Sequence, residues 1–450
     1  MVARLTDGVT LMPGNMAIGA TGSADAAYET ALICGEELRL LGITMNYAPC
    51  LDVNNNPANP VINVRSYSDS AAVVAELGTA AVRGYQAAGV AATVKHFPGH
   101  GDTDVDSHHA LPVLLHERKR LDMIELKPFR AAIQAGTDAI MTAHVGLPAL
   151  DPSGVPSTLS KPVITGLLRE ELGYDGVVVT DCLEMDAIDK LYGPGRGAVM
   201  ALQAGADMVL VSHTYEKQVA ALEAVAQAVE TGELPASRVE EALNRVMRLK
   251  QKLELEKPLK PWEQVEKRIG TPGNRAIAAK WSEASVTLVK NEGGLLPLRK
   301  DANTLVLWPD IVPVSVADEM LAGDGTLGGC LSGRLERLTE RSMSEADPLE
   351  GLDSFEQIIV ATYDAAKHET ERSIAQQVIA AAGDRTIAVS VRNPHDLNLY
   401  PAAQAYLAVY ECRPLALQSL AKVLTGELAP SGRLPLELAP AFPLGWNAAP

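Results

Sequence analysis

Long apolar runs are missing from this sequence. No stretch reaches the roughly 20 residues that a membrane-spanning helix needs, so no membrane span is expected. Basic residues are outnumbered, 39 Lys and Arg against 56 Asp and Glu, giving a formal net charge of −17. That balance disfavours a nucleic-acid partner, because phosphate binding needs clustered Lys and Arg. It leaves room for a locally basic pocket that takes a sugar or an anion. Cysteine is scarce and scattered: Cys34, Cys50, Cys182, Cys330 and Cys412, with no C-x-x-C pair and no zinc-type spacing. This reads as reduced thiols in packed positions. The opening residues, MVARLTDGVT, lack the pattern of a secretory leader, and the expected compartment is the cytoplasm unless a leader lies upstream.

At 450 residues the chain exceeds one compact core, so two domains are expected. Between residues 40 and 255, short apolar runs alternate with longer segments of helical pattern. The strand candidates are Ile43–Ala48, Val90–Lys95, Ala139–Ala143, Val177–Thr180 and Met208–Val211. Each ends in polar or small residues, and helix-like stretches such as Ala71–Gln86 and Leu121–Gln134 lie between them. Strand, polar loop and helix in repetition indicate a parallel sheet of the (β/α)8 TIM-barrel type, with its chemistry at the carboxyl ends of the strands. A closed barrel needs eight strands, so the first one or two β/α units are expected to lie outside this chain. A long helical segment, Glu216–Leu255, broken around Gly232–Pro235, closes the region. Residues 256–275, rich in Pro, Gly and charge, read as a linker, and a helix is expected over Arg275–Leu288. The remainder, 276–450, reads as a smaller α/β sandwich with strands at Thr304–Trp308, Gln357–Thr362, Thr386–Val391 and Ala405–Val409. Its segment Val312–Asp353 carries little pattern, and the Gly-rich AGDGTLGGC there lacks the strand–turn–helix setting of a dinucleotide site.

Three loops concentrate chemistry. The densest runs from Lys95 to His109, KHFPGHGDTDVDSHH, with four His, three Asp and a Lys at a strand end. Its Pro and Gly residues let it bend sharply and approach a ligand closely. Asp106 and His108 are one residue apart, so the carboxylate can fix the tautomer of the ring and raise its basicity. The second is VVVTDCLEM, where Asp181 follows an apolar run directly; a carboxylate there can attack an anomeric carbon or stabilise an oxocarbenium-like transition state. The third, APCLDVNNNPANPVINVRS, is stiffened by Asn and Pro and carries Asp52 and Arg65. The Arg65 guanidinium offers a forked donor set to sugar hydroxyls or an acetamido oxygen.

KHFPGHGDTDVDSH followed by ALP resembles the signature of glycoside hydrolase family 3 β-N-acetylglucosaminidases. The flanking APCLDVNNNPANPVINVRS, IMTAHV and GVVVTDCLEM stand in family order, and SVTLVKNEGGLLPL, RNPHDLNLYP and GELAPSGRLPLEL resemble the family's second domain. The resemblance covers nearly the whole chain. It implies Asp181 as nucleophile, His108 as general acid/base and Asp106 as its partner. It also implies that Arg65, Lys95 and His96 hold the N-acetylglucosamine, with Asp52 read as a further substrate-binding residue. Arg4, in VARL, read as a further substrate-binding residue, resembles the arginine ending the family segment D-Q-E-G-G-x-V-x-R, whose opening aspartate precedes this chain. Asn63 and Ser68 stand where Gly is common in the family, and Cys182 where Asp or Ala is frequent.

The implied reaction is retaining hydrolysis: Asp181 attacks while His108 protonates the departing oxygen, and water activated by His108 then releases the sugar. The implied substrate is a non-reducing-end β-linked N-acetylglucosamine, as on peptidoglycan fragments, and no cofactor is implied. Because a neutral histidine base does not repel an anion, phosphate can replace water, which would make the chain a phosphorylase. Two rival readings belong to other classes. The cluster His96, His100, His108, His109 and His144 has donors suited to a zinc hydrolase, and a barrel without its first units can be an inactive binding or structural protein. Oligomeric state is open, a homo-oligomer included.

Overall fold

The computed structural model describes residues 4–104, 106–107, 110–312, 325–438 and 441–449. The chain forms two compact units, one of residues 27–62 and 69–270, the other of the remaining segments 4–26, 63–68 and 271 onward.

In the first unit five strands pair in sequence order: β1 (Met45–Asn46), β2 (Ala91–Phe97), β3 (Ala139–Thr142), β4 (Val177–Cys182) and β5 (Met208–Leu210). Every pairing is parallel, with Met45 opposite Ala91, Thr93 opposite Ala139, Ala139 opposite Val177 and Val179 opposite Met208. These are the five runs read from the sequence. β2, β3 and the first four residues of β4 are buried almost throughout, as expected of a parallel sheet covered by helices. Connecting helices include Ala71–Ala87, Leu126–Gln134, Gly193–Ala204, Tyr215–Glu230 and Ala236–Lys252. The helix expected over Leu121–Gln134 divides into Arg118–Met123 and Leu126–Gln134. The break carries Glu125 into the interior at 3% exposure, against Gly99 of the β2 loop. Among the described residues no helix is long and apolar enough to cross a membrane.

Two register shifts fall at the carboxyl ends of strands, between Val94 and Phe97 on β2 and between Val179 and Cys182 on β4. Such irregularities re-aim side chains at the rim of a sheet, and these two flank Lys95–His96 and Asp181. Toward β1 the ladder continues past the short strand: Thr93 N–H donates to Ala48 O, Lys95 N–H to Pro49 O and Leu51 N–H to Lys95 O. The chain therefore runs beside β2 as far as Leu51, and Asp52 emerges next to His96.

The second unit is a six-stranded sheet in the order β6-β11-β10-β9-β7-β8. Its strands are β6 (Thr287–Asn291), β7 (Asn303–Trp308), β8 (Arg337–Ser342), β9 (Gln357–Thr362), β10 (Thr386–Ser390) and β11 (Ala405–Ala408). Only β6 runs antiparallel, against β11. Successive residues point to opposite faces of a strand, so the sheet has two cores. Leu305, Leu307, Ile358, Val360 and Ala388 pack on one side with Ile374 and Val378 of the helix Glu369–Ala382. Val306, Ile359, Ala361, Ile387 and Val389 pack on the other with Leu417 and Leu420 of the helix Pro414–Leu424.

Two of these strands were not read from the sequence. The helix expected to Leu288 stops at Ser285, because Thr287, Leu288 and Val289 are drawn into β6. β8, RLTERS, lies in the segment of little pattern; its residues are only part-buried or exposed, so no apolar alternation marks it. The boundaries also differ from the expected 1–255, 256–275 and 276–450. Met16, Ala17 and Ala20 of the helix Asn15–Thr21 join the core of the second unit, and Arg413 Nη1 donates to Met12 O at 3.0 Å. The linker segment up to residue 270 groups with the first unit, where Gly270 N–H donates to Glu37 Oε1.

Candidate active site

Asp52 organises the loops at the carboxyl ends of β1 and β2. Its carboxylate is fully buried and accepts from His96 Nδ1 at 2.6 Å, from the His100 main-chain N–H at 2.7 Å and from Cys50 Sγ at 3.0 Å. The His96 main-chain N–H adds contacts of 3.3 Å to both oxygens. Burial alone would push this carboxyl up, but the charges and hydrogen bonds of His96, His100 and Cys50 outweigh it and hold it well below the usual carboxylate range. A carboxylate only accepts, so His96 Nδ1 carries the hydrogen. The other ring nitrogen, Nε2, then lies 3.8 Å from Asp181 Oδ2.

Asp181 is the fifth residue of β4, within the register shift, with a quarter of its side chain exposed. Its Oδ1 accepts from Cys182 N–H at 2.7 Å. Burial raises its pKa, while His96, His144, Lys95 and the Cys182 N–H lower it by more, so the carboxyl is held below its ordinary value. The result is an ionised carboxylate, open to the outside on one side and flanked by cationic or polarisable groups on the other. His144, at the end of β3, is fixed by Thr158 Oγ1 at 2.8 Å on Nδ1 and by the Cys182 carbonyl at 3.0 Å on Nε2. A carbonyl accepts only, so that Nε2 carries a hydrogen. Tyr47, just after β1, has its phenol pushed up by partial burial and then by the Asp181 charge, which keeps it protonated.

The loop that follows β2 is fastened at several points. Asn59 Nδ2 donates to His100 O, Gly101 O and Thr103 Oγ1 at 2.9, 3.0 and 3.2 Å. Asp102 Oδ2 accepts from His116 Nε2 at 2.7 Å and from Arg120 Nη2 at 3.2 Å. Gly101 packs so closely on the Val53 backbone that a Cβ would stand 1.8 Å from Val53 O. Asp106 is held in this loop at 7% exposure.

The fold thus brings Lys95 and His96, on β2, toward Asp181, on β4 beyond the intervening β3, with Asp106 on the loop that follows β2. His108, the expected acid/base, lies outside the described residues, as does His109. Asp52 is corrected: its carboxylate is enclosed and engaged by protein donors, so it holds His96 and His100 in place and does not face a ligand. Arg65 closes a 3-10 turn, Asn63–Arg65, grouped with the second unit, where Asn15 Nδ2 donates to its carbonyl. Arg4 is exposed and belongs to the same unit. Among the described residues, the three-donor groups of metal-ligating type are Cys50–Asp52–His96 and Asp102–His116–Glu125. Neither is the histidine set read from the sequence, because His96, His100 and His144 each turn to different partners. The supporting parts played by Cys50, His144 and Asn59 were not read from the sequence; Cys50 and Asn59 were signalled only by residence in the Asn- and Pro-rich loop, and His144 by the IMTAHV segment and its place in the histidine cluster.

Residues 1–249 match the glycosyl hydrolase family 3 N terminal domain. The chain is 34% identical over 497 aligned residues to beta-hexosaminidase A of Pseudoalteromonas piscicida, covering 97% of this chain and 81% of that protein. It is 27% identical to a beta-N-acetylglucosaminidase/beta-glucosidase of Cellulomonas fimi, with the same two coverages of 97% and 81%. A solved family 3 beta-N-acetylglucosaminidase from Paenibacillus sp. str. FPU-7 superposes with a TM-score of 0.92 at 48% identity, covering 97% of this chain and 84% of that one.

Proposed function

Because the chain belongs to glycosyl hydrolase family 3, we propose that it is a retaining exo-β-N-acetylglucosaminidase with Asp181 as its nucleophile. The observation that carries this reading is Asp181 itself, part-exposed at the carboxyl end of β4 and kept ionised by His96, His144 and Lys95. A carboxylate so placed can attack an anomeric carbon from one face of a sugar. The attack forms a glycosyl–Asp181 ester as the bond to the aglycone oxygen breaks, and that oxygen takes a proton from the loop bearing Asp106 and His108. Water then cleaves the ester, returning the proton to the same loop and freeing Asp181. Lys95 and His96, beside the carboxylate, are assigned to the sugar hydroxyls. The names of the relatives support N-acetylglucosamine as the sugar, and peptidoglycan fragments are the proposed source.

The test is release of 4-nitrophenol from its β-N-acetylglucosaminide by the parent chain, by Asp181→Ala and by His108→Ala. The expected result is turnover by the parent, loss in Asp181→Ala of about 10⁴-fold or more, and a mass increment of one sugar on Asp181 with a slow 5-fluoro N-acetylglucosaminide. Reactions run with and without inorganic phosphate separate hydrolysis from phosphorolysis by the product formed. Full activity in Asp181→Ala would sink the assignment.

A further inference from the structure

We propose that His100 is a positioning residue that ties the β2 loop back to Ser107 and thereby sets where Asp106 stands. This inference rests on the glycosidase reading, which gives that loop the proton-transferring groups. His100 is 3% exposed, and both of its ring nitrogens are engaged within its own loop. Nδ1 meets Thr103 Oγ1 at 2.8 Å, three residues on, and Nε2 meets Ser107 Oγ at 2.9 Å, seven residues on. Thr103 and Ser107 are buried too, at 1% and 2% exposure, so neither bond is open to replacement by water.

The direction of the Thr103 bond follows from the inventory of donors. Thr103 has one hydroxyl hydrogen, and it goes to His100 O at 3.1 Å. Its oxygen must then accept, from His100 Nδ1–H and from Asn59 Nδ2 at 3.2 Å. Nδ1 thus carries a hydrogen, while Nε2 accepts from the Ser107 hydroxyl when the ring is neutral and donates to it when the ring is charged. Asn59, Thr103, His100 and Ser107 form one continuous hydrogen-bonded chain in either case. The anchor at the other end is the fully buried Asp52 carboxylate, which takes the His100 main-chain N–H at 2.7 Å. Ser107 immediately follows Asp106. The ring of His100 therefore fixes the main chain beside that carboxyl relative to the same Asp52 that holds His96 against Asp181. Enclosed as it is, the ring touches no substrate and acts through Ser107.

The experiment compares the parent with His100→Leu, His100→Gln and Ser107→Ala on N-acetylglucosaminides whose aglycones leave with and without help from an acid. Positioning of a proton donor is worth about 10²-fold or more when the leaving group needs it. In His100→Leu, kcat is expected to fall by about that factor on an alkyl aglycone. It should change little on a dinitrophenyl aglycone, with KM nearly constant. His100→Gln, whose amide oxygen can accept from Ser107, should recover most of the loss. In parallel, hydrogen exchange over residues 101–107 should quicken in both His100→Leu and Ser107→Ala, with the strands unchanged. Unaltered exchange in those residues would overturn the proposal, as would an equal loss on every aglycone, which marks a merely structural part. A parent inactive on all aglycones would overturn the glycosidase reading, while the exchange comparison still decides whether His100 fixes the loop.

Discussion

Asp52 shows how one buried charge can serve a site it does not face. Five protein contacts converge on its two oxygens, and the ring of His96 takes its orientation from one of them. Asp52→Asn keeps the shape but presents an amide where several N–H groups already point. Loss of a hydrogen bond to a charged group costs about 1.5–3 kcal/mol. If the loss is expressed in the transition state, kcat/KM should fall by roughly 10- to 150-fold, and initial rates at low substrate measure it. Asp181 carries a pH prediction. Its carboxyl is depressed below its ordinary value, so the acid limb of kcat/KM governed by it should lie below about pH 4. Ionisation is then complete across the neutral range, and the limb appears only as pH falls through the depressed value. A rate profile showing an acid limb at or above the ordinary carboxylate range would contradict this assignment.

At the scale of elements, the opposite end of the first unit's sheet is tied by a second buried carboxylate. Asp207, just before β5, has a fully enclosed side chain and pairs with Arg169 at 2.5 Å, Arg238 at 2.7 Å and Arg245 at 3.3 Å. It also accepts from Val178 N–H at the start of β4. These bonds join β4 and β5 to the helix Ala236–Lys252 and to the helix Pro162–Glu171. Asp207→Ala would take the buried counter-ion from Arg169 and leave it beside Arg238 and Arg245, which keep the half-exposed Glu241. Removing one partner of a buried ion pair costs about 3–5 kcal/mol, so the midpoint of urea unfolding should drop accordingly. The loop after β2 depends instead on close backbone approach. Gly101→Ala forces a methyl group into Val53 O; overpacking of this kind costs about 1–3 kcal/mol. Activity should suffer more than stability, because the loop itself must move, and a melt paired with an assay separates the two.

For the molecule as a whole, stability carries a pH dependence set within one of its two units. In the second, Asp396 is fully buried, accepting from Thr362 Oγ1 at 2.6 Å and Ala365 N–H at 3.0 Å. Burial first, then the charges of Asp364 and Glu371, push its carboxyl up to about 8. In the unfolded chain it ionises near the ordinary value of about 3.9. Between those values the folded chain keeps a proton that the unfolded chain has released, so stability falls as pH rises from about 4 to about 8 and then levels off. One such group contributes at most about 1.4 kcal/mol per pH unit. Asp396→Asn should flatten that slope, which denaturant melts of the second unit's transition between pH 5 and 8 will show. An unchanged slope would mean that the carboxyl titrates near its ordinary value in the fold.

Much of this protein was legible in its sequence because local chemistry wrote it there. The five parallel strands of the first unit are short apolar runs, each closed by polar residues, and a buried strand needs that composition wherever it packs. KHFPGHGD and VVVTDCLE point to the candidate site because His, Asp and Lys gather at strand ends, where a single such residue would more often cap a helix or close a turn. What escaped depended on partners distant in the chain. β8 is polar and part-exposed, so no periodicity marks it, and only pairing with β7 makes it a strand. The helix Asn15–Thr21 joins the second unit through contacts with residues some 400 positions away, such as Arg433, whose main-chain N–H donates to Ala20 O. Asp52 read as a ligand of the substrate because an acidic residue in a polar loop has no local sign of burial. The sequence by itself determined the strands, the loops and the kinds of side chain available. Only the tertiary structure decided which carboxylate stays open and which is enclosed, because burial and hydrogen-bond partners are set by elements that meet in space and not along the chain.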